Sequence, residues 1–218
     1  SSQSRGLGDV YKRQVEMTSK IYYNGGMTDQ TPSNIRDSVI NAVQSYIDTS
    51  DTEKFNGKFR YSKFIGVIDD ADVSINSNLT SLMMRKDFYP QLNSTFYYEV
   101  CFQNAFDEDC DDPVLSSTGF RVTEYPNFDV YVEDRDKKIV LYRLDSVTGE
   151  KVVLDSDIGD IDYVKGELKM YALTIIKGSF FDNRISLRVR PLSNDIKAMR
   201  EVYLDVDVPN SSFTAYKE

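Results

Sequence analysis

Five carboxylates fall within six residues at 107–112, where Asp107, Glu108, Asp109, Asp111 and Asp112 surround Cys110. Hard cations take several oxygen ligands, so this run is a candidate calcium loop. Its spacing fits only in part. Asp107, Asp109 and Asp111 occupy positions 1, 3 and 5 of an EF-hand loop. Asp112, however, stands where the sharp turn needs glycine, and Thr118 where a bidentate glutamate closes the shell. A solvated acidic loop is the simpler expectation. A second group, Asp155, Asp157, Asp160 and Asp162 around Gly159, reads as turn-forming aspartates with no glutamate in register. Paired carboxylates also hydrolyse glycosides, but 35 acidic residues create pairs by chance.

The remaining composition excludes whole classes of chemistry. The 218 residues contain no histidine, which removes Ser-His-Asp and Cys-His nucleophiles and the commonest zinc ligand. No glycine pattern forms a dinucleotide or phosphate loop. A net charge of -9 repels nucleic-acid backbones. No apolar run approaches the roughly 18 residues of a membrane helix. The two cysteines, Cys101 and Cys110, are expected as reduced thiols, because no apolar signal segment opens the chain. No cofactor, no nucleic acid and no membrane insertion are therefore expected.

What remains is contact chemistry. Arg184, Arg188 and Arg190 share one face of a strand and read as a solvated sheet face or as a patch for an acidic protein. Tyrosine offers large, stiff, amphipathic area for interfaces. Tyr131 and Tyr203 sit on strands at positions that alternate with apolar residues, so both are interface candidates together with Arg184 and Arg188.

The elements that must carry these residues are mostly strands. Residues 1–14 are expected to be a non-native, adapter-derived tail, and are set apart from the fold. Ile35, Val39, Ala42, Val43, Tyr46 and Ile47 recur at spacings of three and four, which predicts one amphipathic helix over 35–48, capped by Ser33 or Asn34. From residue 59 the texture is expected to be β throughout, including 59–62, 64–68 and the Val73/Ile75 alternation. Further strands are predicted at 79–86, 95–103, 114–122, 128–133, 138–144, 151–154, 184–190 and 201–208. Gly149 and Gly166 mark hairpin turns. The fold class is thus α+β, mainly antiparallel: one N-terminal helix in 15–58, then a β-rich domain of about ten short strands over 59–218, in one or two lobes.

Beyond these local signals, six collinear blocks resemble one family. They are SNIRDSVINA (33–42), VIDDADVSI (67–75), YVEDRD (131–136), LDSVTGEK (144–151), IKGSFFDNR (176–184) and REVYLDVD (200–207). Together they resemble the C-terminal third of the baseplate wedge subunit of T-even-type contractile-tailed phages, a relative of the baseplate J family. The resemblance implies a non-catalytic virion protein of the tail baseplate, assembled in the host cytoplasm and continuing upstream. It also implies a homodimer that binds companion wedge proteins, with neighbouring wedges joining into a ring around the tail hub. The rival expectation is a ligand-binding tail module that uses calcium in the acidic loops to hold a sugar or a cell-surface protein.

Overall fold

The computed structural model describes residues 12–50, 57–108, 111–197 and 203–218. In chain order the elements are β1 (Lys12–Tyr23), α1 (Pro32–Thr49), β2 (Lys58–Phe59), α2 (Tyr61–Asp69), β3 (Ile75–Phe88), β4 (Thr95–Cys101), β5 (Leu115–Ser117), β6 (Phe120–Val122) and β7 (Tyr125–Arg135). They continue with β8 (Lys138–Leu144), β9 (Lys151–Asp162), β10 (Glu167–Lys177), β11 (Ile185–Val189), β12 (Ile196–Lys197), β13 (Tyr203–Val206), a short 3-10 turn (Val208–Asn210) and β14 (Ser212–Lys217). The fold is mainly antiparallel β, as expected, and the described residues hold two helices and fourteen strands where one helix and about ten strands were expected. The chain divides into two compact units. One holds 85–193, and the other combines Lys12–Met84 with Asn194–Glu218. Residue 58 lies inside the second of these.

In that second unit β1 is flanked on one side by β3. Its other partners are β13 and β14, both parallel to it: Lys12–Val15 pair with Tyr203–Val206, and Thr18–Tyr23 with Ser212–Lys217. The step between them is bridged by Ser211, whose Oγ accepts from the Met17 N–H at 2.9 Å. Lys12, Arg13 and Gln14 are the first residues of β1, ahead of the boundary expected at residue 15.

Helix α1 buries Ile35, Val39, Val43 and Ile47, the stripe its spacing predicts. Its cap is Thr31 instead of Ser33 or Asn34. The Thr31 Oγ1 accepts from the Asn34 N–H at 3.2 Å, and Pro32 fills the first turn, where a missing N–H costs nothing. The expected strands at 59–62 and 64–68 are largely replaced by α2. Phe64 and Ile68, four apart, are its buried residues. Asp195 Oδ1 accepts from the Tyr61 N–H at 2.8 Å and satisfies a donor at its start. Phe64 stacks on Phe59 at 4.2 Å and meets Tyr46 edge-on at 5.1 Å, tying α2 to α1 and β2. Val73, expected on a strand, sits in a turn and is 86% exposed.

In the unit of 85–193 the pairings β7–β6, β6–β10, β10–β9, β9–β8 and β8–β7 close a circuit, a small β-barrel. Val130, Val132, Ile139, Leu141, Leu168 and Ile175 are buried on its strands. Strand β4 pairs with the side of β10, and β5 joins β7 to β11. The single strand expected at 114–122 is broken at Gly119, which packs against the Tyr131 ring: a Cβ there would lie 3.0 Å from it. Gly159 admits no side chain, because a Cβ would lie 2.2 Å from the Lys169 carbonyl oxygen across the β9–β10 pair.

Candidate contact surfaces

The acidic loop is tied down by cations. Asp107 lies 3.5 Å from Arg190 Nε, its N–H donates to the Arg190 carbonyl at 3.1 Å, and Glu108 lies 3.3 Å from Lys137 Nζ. An Arg190 NH2 group donates to the Asp112 carbonyl at 3.2 Å. Asp111 is exposed, and Asp109 and Cys110 fall outside the described residues. Among the described residues no three His, Cys, Asp or Glu side chains are grouped to hold a metal ion. Cys101 is a half-buried free thiol whose Sγ lies 3.9 Å from Glu167 Oε1.

The second acidic group lies on β9, not in a turn. The reason is its neighbours. Lys138 on β8 reaches Asp157 at 3.2 Å and Asp160 at 2.8 Å, and Tyr171 on β10 donates to Asp160 at 2.5 Å. The hydrogen bond from Lys138 and then that from Tyr171 hold the Asp160 carboxyl below its usual range. The bonds from Asp160 and Asp157 in turn push Lys138 above its own. Replacing Lys138 with methionine is expected to return the Asp160 pKa upward toward 3.8, which a carboxyl NMR titration would read. The sign follows: a depressed carboxylate stabilises the fold above the ordinary range, and that contribution is lost as pH falls through the lowered value. An open cleft of about 440 Å³ runs beside this cluster, lined by Glu108, Lys137, Asp162, Lys165, Glu167 and Lys169 among others. Two pairs lie within its lining, Lys165 with Asp162 at 3.8 Å and Lys137 with Glu108 at 3.3 Å, and Lys169 pairs with Glu99 outside it at 3.6 Å.

The arginine stripe is half-buried and engaged. Arg184 lies over the Phe180 ring at 4.2 Å, bonds Asp182 at 3.1 Å and approaches Asp87 at 3.9 Å. Arg188 is half-buried within β11. Alternation along the strand would turn Ser186 outward with Arg188, yet it is buried: its hydroxyl donates to Asp87 Oδ1 at 2.6 Å and its N–H to Thr118 Oγ1 at 2.9 Å. Tyr131 is half-buried and stacked on Tyr142 of the paired strand at 5.6 Å, so one face of its ring is used within the barrel wall. Tyr203 pairs with Lys12 through the backbone; its side chain lies outside the described residues.

Residue types and spacing did not reveal two other features. The first is a pair of buried carboxylates. Alternation along β7 would turn Glu133 outward with Asp129 and Tyr131, yet it is 2% exposed. Arg135 bonds it at 2.7 Å and Lys151 closes on its other oxygen. Lys151 also lies over the Tyr142 ring at 5.1 Å. Asp134 next to it accepts from the Leu115 N–H at 2.7 Å and from the Tyr163 hydroxyl at 2.6 Å. Burial and then that carboxylate push the Tyr163 phenol well above its usual range.

The second feature is the β8–β9 hairpin end, an exposed apolar surface. Leu144, Val147, Val152 and Val153 are between 36% and 90% exposed there. The turn between them is rigid: Asp145 Oδ1 accepts from the N–H groups of Val147 and Thr148, and Gly149 takes φ +72°. Arg143 covers Phe128 at the same end, at 5.6 Å. A hydrophobic, well-braced hairpin end of this kind is suited to contact with another protein surface.

A comparison with curated proteins finds no match. A comparison with protein families gives one, described as baseplate structural protein gp6, C-terminal domain III, over residues 13–87. The matched stretch is about a third of the chain and nearly coincides with the continuous part of the second unit, Lys12–Met84. It spans two of the blocks that carry the resemblance to a baseplate wedge subunit, 33–42 and 67–75, and over residues 13–87 the chain is similar to the C-terminal domain III of baseplate structural protein gp6.

Proposed function

We propose that this chain is a structural part of a phage tail baseplate wedge, and that it joins subunits and neighbouring wedges into the ring around the tail hub without catalysis. The family match over 13–87 is the observation that carries the reading. The rest of the molecule is consistent with it. Most charged side chains of the cleft are held in ion pairs, and the most exposed apolar residues project from turns. A ring subunit needs such stiffness together with faces that bind other chains. On this reading the partners are a second copy, companion wedge proteins and neighbouring wedges, the location is the virion tail, and assembly takes place in the host cytoplasm.

The test is co-expression with the other baseplate wedge proteins of the same phage, followed by native mass spectrometry. The reading predicts a complex that holds this chain at a fixed stoichiometry. Recovery of the chain free of every wedge protein would reject it.

A further inference from the structure

We propose that the outer edge of β9 over residues 151–155 is a self-association surface, pairing antiparallel with the same edge of a second copy about a two-fold axis at Val153. The proposal rests on the self-association part of the reading above and gives it a place. Strand β10 covers β9 only at Gly159–Asp162. Over 151–157, among the described residues, β8 is the only strand on β9. The backbone on the other side is therefore an open edge, and an open edge is a template for another strand. Natural edges are blunted by proline, by short length or by projecting lysine. Here residues 151–155 contain no proline, and Lys151 is drawn off onto Glu133. The exposed side chains are β-branched: Val152 at 36% and Val153 at 39%.

The sequence of this edge is complementary to itself. With Val153 on the axis, Val152 faces Leu154 of the second copy, and Lys151 faces Asp155 of the second copy. Pairing across a two-fold axis repeats each contact twice. The charges favour it. Glu133 is one buried carboxylate shared by two cations, Arg135 and Lys151, which leaves one positive charge unbalanced at the surface. Asp155 makes no ion pair among the described residues; its Oδ1 accepts from the Asp157 N–H at 2.9 Å. It would supply the missing negative charge. A register slipped by one residue would set Lys151 against Ser156 or Leu154, and one slipped by two would set it against Val153 or against Asp157, which Lys138 already holds at 3.2 Å, so charge as well as packing favours this register.

The experiment uses the full chain. Light scattering after size exclusion, over a concentration series, should give twice the 25.0 kDa mass for the wild type. Val153→Lys, which sets two ammonium groups against each other on the axis, should weaken the dimer by at least about tenfold. Val153→Cys, in a chain also carrying Cys101→Ser and Cys110→Ser, should form a disulfide dimer on oxidation, because paired strands bring facing Cβ atoms to about 4.5–5.5 Å. Ser156→Cys in the same background, three residues off the axis, should not. A dimer that survives Val153→Lys, or a dimer in which position 153 does not cross-link, overturns this surface and leaves self-association standing. A wild-type chain that is monomeric at every concentration overturns both, while the wedge assignment still answers to the co-expression test.

Discussion

Replacing Asp134 with alanine is expected to destabilise the unit of residues 85–193 by about 3 kcal/mol, read as a lower midpoint in urea at unchanged slope. The carboxylate is 6% exposed and serves two donors at once, the Leu115 N–H on β5 and the Tyr163 hydroxyl beyond β9. Alanine leaves both without an acceptor, and each buried orphan donor costs about 1–3 kcal/mol. Asparagine is expected to recover much of the loss, since its Oδ1 can accept from Leu115 while its amide donates to the Tyr163 oxygen. Tyr163→Phe, which removes one donor and leaves the other satisfied, should cost about 1 kcal/mol. The phenol gives an independent signature. Burial and then the Asp134 carboxylate raise the Tyr163 pKa. An ultraviolet titration of Asp134→Asn should therefore show that phenol ionising at lower pH than in the wild type.

Gly166→Ala is expected to cost about 3–4 kcal/mol, far more than the same change at Gly149. Both glycines adopt the left-handed conformation, at φ +67° and +72°, so both pay about 1 kcal/mol or more for a side chain. Only Gly166 also lacks space. Its Cβ would lie 2.0 Å from the Asn104 carbonyl oxygen, a backbone atom, whereas nothing lies within 4 Å at Gly149. Relief requires moving the segment after β4, where the Phe102 N–H donates to the Gly166 carbonyl at 2.7 Å and Phe102 packs edge-on against Phe106 at 5.5 Å. Both rings are buried, so the displacement opens the core. Equal losses at the two positions would show that strain in φ, not contact with Asn104, sets the cost.

These sites show where local sequence patterns suffice and where they stop. Helix α1 was legible because its four buried residues repeat at four-residue intervals in a run long enough to exclude a strand. Helix α2 was not, because Phe64-Ile65-Gly66-Val67-Ile68 is short and apolar throughout, and such a run fits either period. The Thr31-Pro32 pair was the available signal for the true cap of α1, since proline is favoured just inside a helix. Gly149 and Gly166 marked real turns. The aspartates of β9 misled because turn preference is local, while Lys138 and Tyr171 arrive from neighbouring strands. Alternation along β7 put Glu133 outside. Two cations, one from sixteen residues beyond Arg135, bring it in. Of the residues chosen by type, Tyr131 stacks on Tyr142 and Arg184 on Phe180, each within its own unit. Four exposed apolar side chains, Leu144, Val147, Val152 and Val153, gather at a hairpin end, where composition alone gives valine no special meaning.

The position of this chain in a particle tests the account most directly. Gold-labelled antibody raised against residues 85–193 should be imaged by electron microscopy on tailed particles of the phage that encodes the chain. The account predicts label at the baseplate end of the tail, in several copies per particle. Label on the capsid, or particles without label beside free antigen, would contradict it.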